Sequence, residues 1–405
     1  MVATTNTISR AFSFTCMFKL CRPLFALSTR THMESPRVNS ALRSPARETH
    51  IGDTDDGFIT LQEWQGWGAV SPLPALVQQI VEDLKALEKN FDAPMSFGGN
   101  GGRLQGDFKI LEDKKHRATY QTLGESEKKL QFFTARQIAC RLLGSQGYLC
   151  QKCWIAMEDC MCSKVKHCSL WYGVRFWLYM HPKDFLRQNN TGKLLWQVLG
   201  VQAATLCLYG VAEDEEIMWS AFKRAGKSKV WCLYPNKNAI KMSVQDTLGY
   251  GSSEDLEYTP MMEVHESGGN TDVGSTAQTD GDNTLNFVLI DGTWSNSAAM
   301  FNRLKEKAKT VWDEEGIPCI SLTMGASAMH KLRPQPSWDR TCTAAAAIGL
   351  LSELQLLPKF SSCGLDEAVE AIEDALAVLL EALTTRRLRM GRSVTRKARH
   401  NLNLW

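Results

Sequence analysis

The segment from residue 286 to residue 304 constrains the fold more than any other part of the chain. Residues 286–290 are rich in branched and aromatic side chains, which is typical of a buried strand. Asp291 and Gly292 interrupt this run, and Thr293 is a suitable N-cap for a helix with apolar residues at helical spacing. In an open α/β sheet, ligands bind at the carboxyl ends of the strands. The segment therefore predicts an α/β fold in which Asp291 either belongs to a ligand site or only caps the helix.

Length, charge and hydropathy exclude several classes of protein. A chain of 405 residues is long enough for one large domain or two smaller ones. A net charge of +2 gives no overall nucleic-acid footprint, so any such surface must be local. No apolar run reaches the length of a transmembrane helix, so we expect no membrane partner. Nothing in the composition indicates an obligate protein partner.

The N-terminal part of the chain predicts a leader. Residues 1–33 contain no acidic residue and are rich in Ser and Thr, which is typical of a transit peptide for a plastid or mitochondrion. If translation instead starts at Met33, a location in the cytoplasm or nucleus is expected, and the sequence leaves both alternatives open. We therefore predict a disordered or transit-like leader over residues 1–56.

Residues 57–130 predict an accessory helical region. Apolar residues from Leu73 to Leu87 recur at helical spacing, so a helix with one apolar face is expected there. Residues 97–106 are rich in Gly and predict a flexible linker. We expect this region to contribute packing and no chemistry.

Closely spaced cysteines between residues 140 and 168 predict a zinc module. Two pairs share the short spacing that supplies the ligands of a tetrahedral site two by two. These four residues are Cys150, Cys153, Cys160 and Cys162, and Cys140 and Cys168 are spare candidates. The alternative is a set of buried free thiols. Because four thiolates leave no open coordination position, the ion is predicted to be structural and not catalytic.

Two further strands are predicted to end in polar or turn motifs. One ends at His181, and the other ends at Tyr234 and is stopped by Pro235. Together with Asp291, three strand ends thus carry residues that are typical of a binding edge. Residues 247–284 are rich in Gly, Ser, Thr and Asp and predict a solvated insertion between core strands.

Taken in order, five blocks of the chain resemble the motifs of the DTW-domain family. They are the paired cysteines, His181-Pro182 with Asn190-Thr191-Gly192, Tyr234-Pro235, Asp291-Gly292-Thr293-Trp294, and Arg333 followed by Cys342-Thr343. One departure is Ala345, where the family carries a glutamate. The resemblance places a DTW domain at residues 131–385, with the zinc module at 140–168 and the insertion inside it.

The resemblance implies a SPOUT-like α/β sheet with a knotted cofactor crevice. It implies transfer of the 3-amino-3-carboxypropyl group of S-adenosyl-L-methionine to N3 of a uridine in tRNA, giving acp3U and 5′-methylthioadenosine. Asp291 would be the catalytic residue, since a carboxylate within reach can accept the N3 proton. Trp294 would either pack under the turn or stack on a base. The implied cofactor-binding residues are Tyr234, Pro235, Gly292, Thr293, Trp294, Arg333 and Thr343.

Two other functions stay open at this point. One is an S-adenosylmethionine-dependent RNA methyltransferase that uses the same crevice. The other is a zinc-bearing RNA-binding protein without catalysis, which Ala345 in place of the glutamate would fit. Residues 386–405 form an Arg-rich tail, and we predict that it adds phosphate contacts to tRNA and no chemistry.

Overall fold

The structure is a computed structural model that describes residues 59–91, 94–98, 102–234, 242–248, 284–313, 316–322 and 341–391. Five sequence predictions fall on other parts of the chain. The predicted leader, residues 249–283 of the predicted insertion and residues 392–405 of the predicted tail lie outside the described residues. Pro235 and Arg333 lie outside them as well.

Helices and strands alternate through most of the described chain. The helices are α1 (Leu61–Gly66), α2 (Ala75–Phe91), α3 (Gly106–Thr122), α4 (Ser126–Ser145), α5 (Lys193–Leu199), α6 (Ala212–Ala225), α7 (Val244–Leu248), α8 (Trp294–Trp312), α9 (Thr343–Gln355) and α10 (Leu365–Arg389). The strands are β1 (Ser96–Phe97), β2 (Leu104–Gln105), β3 (Val174–Met180), β4 (Ala204–Leu208), β5 (Val230–Leu233), β6 (Leu285–Asp291) and β7 (Cys319–Ile320). This alternation confirms the predicted α/β class.

A five-stranded parallel sheet with the order β4-β3-β6-β5-β7 forms the centre of the protein. From β3 the chain turns to β4 on one side, and from β6 it turns to β7 on the other side. Where the connections that leave two neighbouring parallel strands run to opposite sides of the sheet, a crevice opens between the carboxyl ends of these strands. The sheet therefore has its switch point between β3 and β6. The predicted knot stays a prediction, because residues 323–340, which join β7 to α9, lie outside the described residues.

Helices cover both faces of the sheet. Along β3, Phe176 and Leu178 face one side and pack in the core that includes α5, α9 and α10, whereas Trp177 and Tyr179 face α6 and α8. A parallel sheet that is buried on both faces needs nearly continuous apolar strands. This explains why residues 174–180 read as one apolar run, interrupted only by Arg175.

The accessory region shares its core with the sheet. The predicted helix between Leu73 and Leu87 is confirmed as α2. Trp64 is fully buried and its ring lies 5.9 Å from that of Phe185. The region is thus packed onto the sheet domain, in agreement with the predicted packing role.

The prediction of a flexible linker at residues 97–106 is wrong for the described part of that segment. Strands β1 and β2 pair there in an antiparallel hairpin. Gly102 has a φ of +74°, and a Cβ at this position would lie 2.6 Å from Cγ of Arg141. The glycine is therefore needed for close packing of the hairpin against α4, and composition alone does not distinguish this role from flexibility.

Two predicted boundaries fall inside helices. Helix α4 crosses the boundary between residues 130 and 131 and enters the predicted zinc module. Helix α10 crosses the boundary at residue 385 and ends at Arg389, because its last turn packs against the rest of the protein. In the part of the chain that the structure describes, no helix combines the length and the apolar character that a membrane span requires.

Candidate active site and metal centre

Asp291 ends β6 at the switch point of the sheet, and it is buried, with 7 % of its surface exposed. Its backbone oxygen accepts a hydrogen bond from the amide of His181 over 2.8 Å. Its carboxylate Oδ2 accepts a hydrogen bond from Nδ2 of Asn190 over 2.8 Å. The segment that follows the neighbouring strand β3 thus holds Asp291. Asp291 is not the N-cap residue of α8, because Thr293 occupies that position.

Residues 188–193, the Asn-Thr-Gly loop, join the end of β3 to three other elements. Asn190 Oδ1 accepts a hydrogen bond from the amide of Lys193 over 3.0 Å and so caps the start of α5. Thr191 Oγ1 accepts one from the amide of Ala344 in the first turn of α9, over 3.4 Å. Gly192 lies against Asp291, and a Cβ there would collide with the carboxylate oxygen Oδ2. The loop therefore fixes the position of Asp291 relative to α5 and α9.

The turn after Asp291 differs in one detail from its prediction. Thr293 is the N-cap residue, as predicted, but its side chain makes no capping hydrogen bond and instead contacts Oγ of Ser295 over 2.9 Å. The backbone oxygen of Thr293 starts the helix by accepting from the amide of Ser297 over 2.9 Å. Trp294 is half-buried, which is compatible with both roles predicted for it. A Cβ on Gly292 would lie 3.2 Å from Sδ of Met300.

Two further predicted cofactor residues lie at the carboxyl edge of the sheet. In the register of β5 with β6, Leu233 is opposite Leu289, so Tyr234 follows at the level of the end of β6. The Tyr234 ring stacks on Phe301 of α8 with 4.3 Å between ring centroids. Thr343 is the first residue of α9. Ala345 lies in the same turn of α9 and offers no carboxylate.

Asn190 is a site residue that the sequence analysis did not assign to the site, whereas His181 was predicted to lie at the binding edge but was given no role. His181 is buried next to Asp291, and its Nδ1 accepts a hydrogen bond from the amide of Lys183 over 3.2 Å. Burial lowers the pKa of His181 to about 4, although Asp184 opposes this shift, so the imidazole is neutral at physiological pH. Both residues belong to the motif blocks that follow β3, and this position is the sequence signal that indicates a role in the site. Their contacts with Asp291 are visible only in the folded structure.

The four predicted zinc ligands lie together. All four Sγ atoms lie within 4.8 Å of one another, with 3.7 Å between Cys150 and Cys162 and 3.8 Å between Cys153 and Cys160. In a tetrahedron with Zn–S bonds of about 2.3 Å, neighbouring sulfurs are about 3.8 Å apart. The donor set and its spacing therefore fit a zinc ion with four thiolate ligands. The spare candidates Cys140 and Cys168 are not part of this cluster.

Lys193 connects the cysteine cluster with the Asn-Thr-Gly loop. It is fully buried, and its Nζ donates a hydrogen bond to the backbone oxygen of Gln188 over 2.7 Å. Burial lowers the pKa of Lys193 to about 7, and the nearby thiols of Cys153, Cys162 and Cys150 oppose this shift. A zinc ion with four thiolates would carry a net charge of about −2, which a neighbouring ammonium group would offset in part. Lys193 thus lies between the Asn-Thr-Gly loop and the cysteine cluster, close enough to the thiols for an electrostatic interaction.

Two arginines assigned to the predicted basic tail lie in α10 and make internal contacts. Arg386 is buried, and its guanidinium donates to Gln188 Oε1 and to the hydroxyl of Tyr148. Arg389 pairs with Glu158 and Asp159 of the cysteine module, at 2.7 Å in both cases. Both charges thus have partners inside the protein, which accounts for these two residues without a phosphate, and the predicted phosphate-binding role of the tail stays a prediction.

The fold and the site together define a class of protein. It is a parallel α/β protein with a buried carboxylate at the switch point of its sheet and a four-thiolate centre suited to a structural metal ion. Residues 147–388 match the DTW domain, and the chain belongs to the DTW-domain family, which is associated with tRNA modification. Comparisons with curated proteins and with solved structures give no match. Helices α1 to α4 precede the matched residues.

Proposed function

We propose that the protein transfers the 3-amino-3-carboxypropyl group of S-adenosyl-L-methionine to N3 of a uridine in tRNA, giving acp3U and 5′-methylthioadenosine. The observation that carries this proposal is the pair formed by Asp291 and Asn190 at the switch point of a DTW-domain chain. Ligands of parallel α/β sheets bind at such a point. In this proposal, a carboxylate at that point accepts the proton that the attacking nitrogen must lose.

The proposed S-adenosyl-L-methionine site lies along the carboxyl edge of the sheet. The described residues assigned to it are Tyr234, Gly292, Thr293, Trp294 and Thr343, which lie just after β5, in the turn from β6 to the start of α8, and at the start of α9. Pro235 and Arg333 are the remaining residues assigned to the proposed S-adenosyl-L-methionine site. The bound co-substrate supplies a sulfonium centre, and the bond from sulfur to the aminocarboxypropyl carbon breaks as the bond from N3 forms.

In this proposal Asp291 accepts the N3 proton of uridine. Asn190 keeps the carboxylate in place by donating to Oδ2, and the missing side chain of Gly192 leaves room for that oxygen. His181 stays neutral beside them, so it does not neutralise the charge of Asp291. Orientation by fixed neighbours is a large part of such catalysis, because it removes the need to order the reacting groups during the reaction.

We propose that zinc at the cysteine cluster has a structural role. Its four thiolate ligands leave no position for a substrate. Through Lys193 and Gln188 the centre stabilises the Asn-Thr-Gly loop, whose contacts with Asp291 are described above.

One observation favours a different function, because Ala345 in the first turn of α9 offers no carboxylate for the amino group of the co-substrate. A protein that binds tRNA without catalysis is therefore the second candidate. Mass analysis of tRNA incubated with the protein and S-adenosyl-L-methionine tests the proposal. A gain of one aminocarboxypropyl group per modified uridine is expected. A gain of a methyl group, or an unchanged mass with tRNA still bound, would contradict it.

A further inference from the structure

Helix α4 lies beside the candidate active site, although the whole helix precedes the residues that match the family. Thr134 of this helix donates a hydrogen bond to the backbone oxygen of Tyr209, just after β4, over 3.0 Å. The ring of Phe133 lies 6.4 Å from the ring of His181. Helix α4 is therefore packed across the carboxyl edge of the sheet, next to the residues that hold Asp291.

The segment after β3, residues 181–187, runs along the same helix. Lys183 is exposed, and its Nζ lies 5.2 Å from the ring centroid of Phe133. Further along this segment, Asp184 is buried and pairs with the guanidinium of Arg187. An exposed cation and a half-buried aromatic ring thus lie side by side near the site, which is a combination common in single-stranded RNA sites.

Arg141 adds an unusual feature to this face. Only 7 % of it is exposed, and its Nε has no hydrogen-bond partner among the described residues. A buried N–H group of a charged side chain is costly when it has no acceptor, so such groups are normally paired. Burial lowers the pKa of Arg141 to about 10, and Asp184 opposes the shift while Arg187 and Arg103 add to it. Arg141 is therefore still charged at neutral pH.

Positive charge is concentrated around Arg141. Among the described residues, Asp184 is the carboxylate that most strongly opposes the loss of the Arg141 charge, and it already pairs with Arg187. Arg187 and Arg103 add positive charge, and the exposed Lys183 is next to Asp184 in the chain, so cations outnumber this carboxylate and leave an excess of positive charge where α4 meets the segment after β3. An anionic ligand would offset this excess and would supply the acceptor that Nε of Arg141 lacks.

We propose that Arg141 and Lys183, on α4 and on the segment after β3, form a phosphate site for the RNA strand that carries the target uridine. Phe133 between Lys183 and His181 offers a surface for an unstacked base of the same strand. The site rests on the proposed function, which it deepens by assigning RNA contacts to a helix outside the matched domain. Its ligand is the backbone of the tRNA, and its role is affinity and placement.

The test is binding of unmodified transcribed tRNA to the full-length protein, measured as a function of salt concentration and without S-adenosyl-L-methionine. The variants are Lys183→Gln, Arg141→Gln and a control, Lys223→Gln. Lys223 is also an exposed lysine, but it lies near the end of α6 that leads into β5, at the opposite edge of the sheet. Each lost phosphate contact should lower the salt slope by about 0.7 to 0.9 and weaken binding about three- to tenfold.

Lys183→Gln and Arg141→Gln should both show this change, and Lys223→Gln should match the wild type. Because Arg141 is buried, its variant is first checked by thermal unfolding, and the exposed Lys183 decides the matter if Arg141→Gln does not fold. Wild-type salt slopes in Lys183→Gln would overturn the phosphate site and leave the proposed function intact. Absence of tRNA binding by the wild type would overturn both.

Discussion

Replacing Asn190 by Asp tests how the carboxylate of Asp291 is held. In the wild type, Nδ2 of Asn190 donates to Asp291 over 2.8 Å, and Oδ1 accepts from the amide of Lys193 over 3.0 Å. Asn190→Asp keeps the shape and the acceptor for Lys193, but it places a second carboxylate oxygen where the donor was. This happens in a site where Asn190 is 3 % and Asp291 is 7 % exposed.

The size of the effect follows from the short distance. Two unit charges about 4 Å apart repel by about 4 kcal/mol at an effective dielectric constant of about 20. Protonating one ordinary carboxyl group at pH 7 also costs about 4 kcal/mol, at about 1.4 kcal/mol per pH unit above its usual pKa. The pair should therefore retain one shared proton up to near-neutral pH. The folded variant then binds more protons than its unfolded chain between about pH 4 and pH 7, so its stability falls as the pH rises through this window.

The assay is urea unfolding of the wild type, Asn190→Asp and Asn190→Ala at pH values from 5 to 8. Asn190→Ala removes the donor to Asp291 and the acceptor that caps α5, without adding a charge. It should lose about 1.5–3 kcal/mol for the hydrogen bond to a charged group and about 1 kcal/mol for the cap, with a shallower pH dependence. Asn190→Asp should come close to the wild type at pH 5 and fall below Asn190→Ala near pH 8. Parallel pH profiles for the two variants would refute the contact between Asn190 and Asp291.

Three further predictions concern the metal centre, the tail and His181. Cys153→Ser should lower the zinc content from about one ion per chain and lower the melting temperature, and a metal-free wild type of full stability would contradict the structural site. Arg386→Gln should lower the melting temperature because it breaks a buried contact. Truncation after residue 391 should leave the melting temperature unchanged and flatten the salt dependence of tRNA binding. An unchanged melting temperature in Arg386→Gln, or a lowered one in the truncated protein, would contradict these assignments. Since burial lowers the pKa of His181 to about 4 from 6.5, the folded state binds fewer protons than the unfolded state in this window. Stability should thus decline as the pH falls from about 6.5 to 4, and His181→Asn should remove this decline; an unchanged pH profile would contradict it.

Local patterns predicted the parts of the site that lie close together in the sequence. The strand that ends at Asp291 and the turn that follows it form as predicted, because a branched apolar run followed by Asp-Gly leaves few alternatives. The four clustered cysteines were also predictable, since their short spacing brings two pairs of thiols together. Thr293 shows the limit of such reasoning: the N-cap position is right, but the capping hydrogen bond is absent.

Contacts between distant residues were not accessible from the sequence. Asn190 and Asp291 are 101 positions apart and meet because β3 and β6 are neighbours in the sheet. Composition also assigned Gly102 to a flexible linker and Arg386 to an Arg-rich tail that contacts tRNA, although both are buried by elements from elsewhere in the chain. Which strands are neighbours, and which helix covers them, depends on packing of the whole chain and not on local pattern.

The measurement that tests the central claim most directly is single-turnover transfer of the aminocarboxypropyl group to tRNA by Asp291→Asn, with binding of S-adenosyl-L-methionine and thermal unfolding measured in parallel. Asparagine keeps the size of the side chain at the end of β6 and removes the charge that would accept the N3 proton. A general base contributes about two to four orders of magnitude in rate. We expect a loss of that size with near-normal binding and stability, whereas turnover close to that of the wild type would contradict the assignment of Asp291 as the proton acceptor.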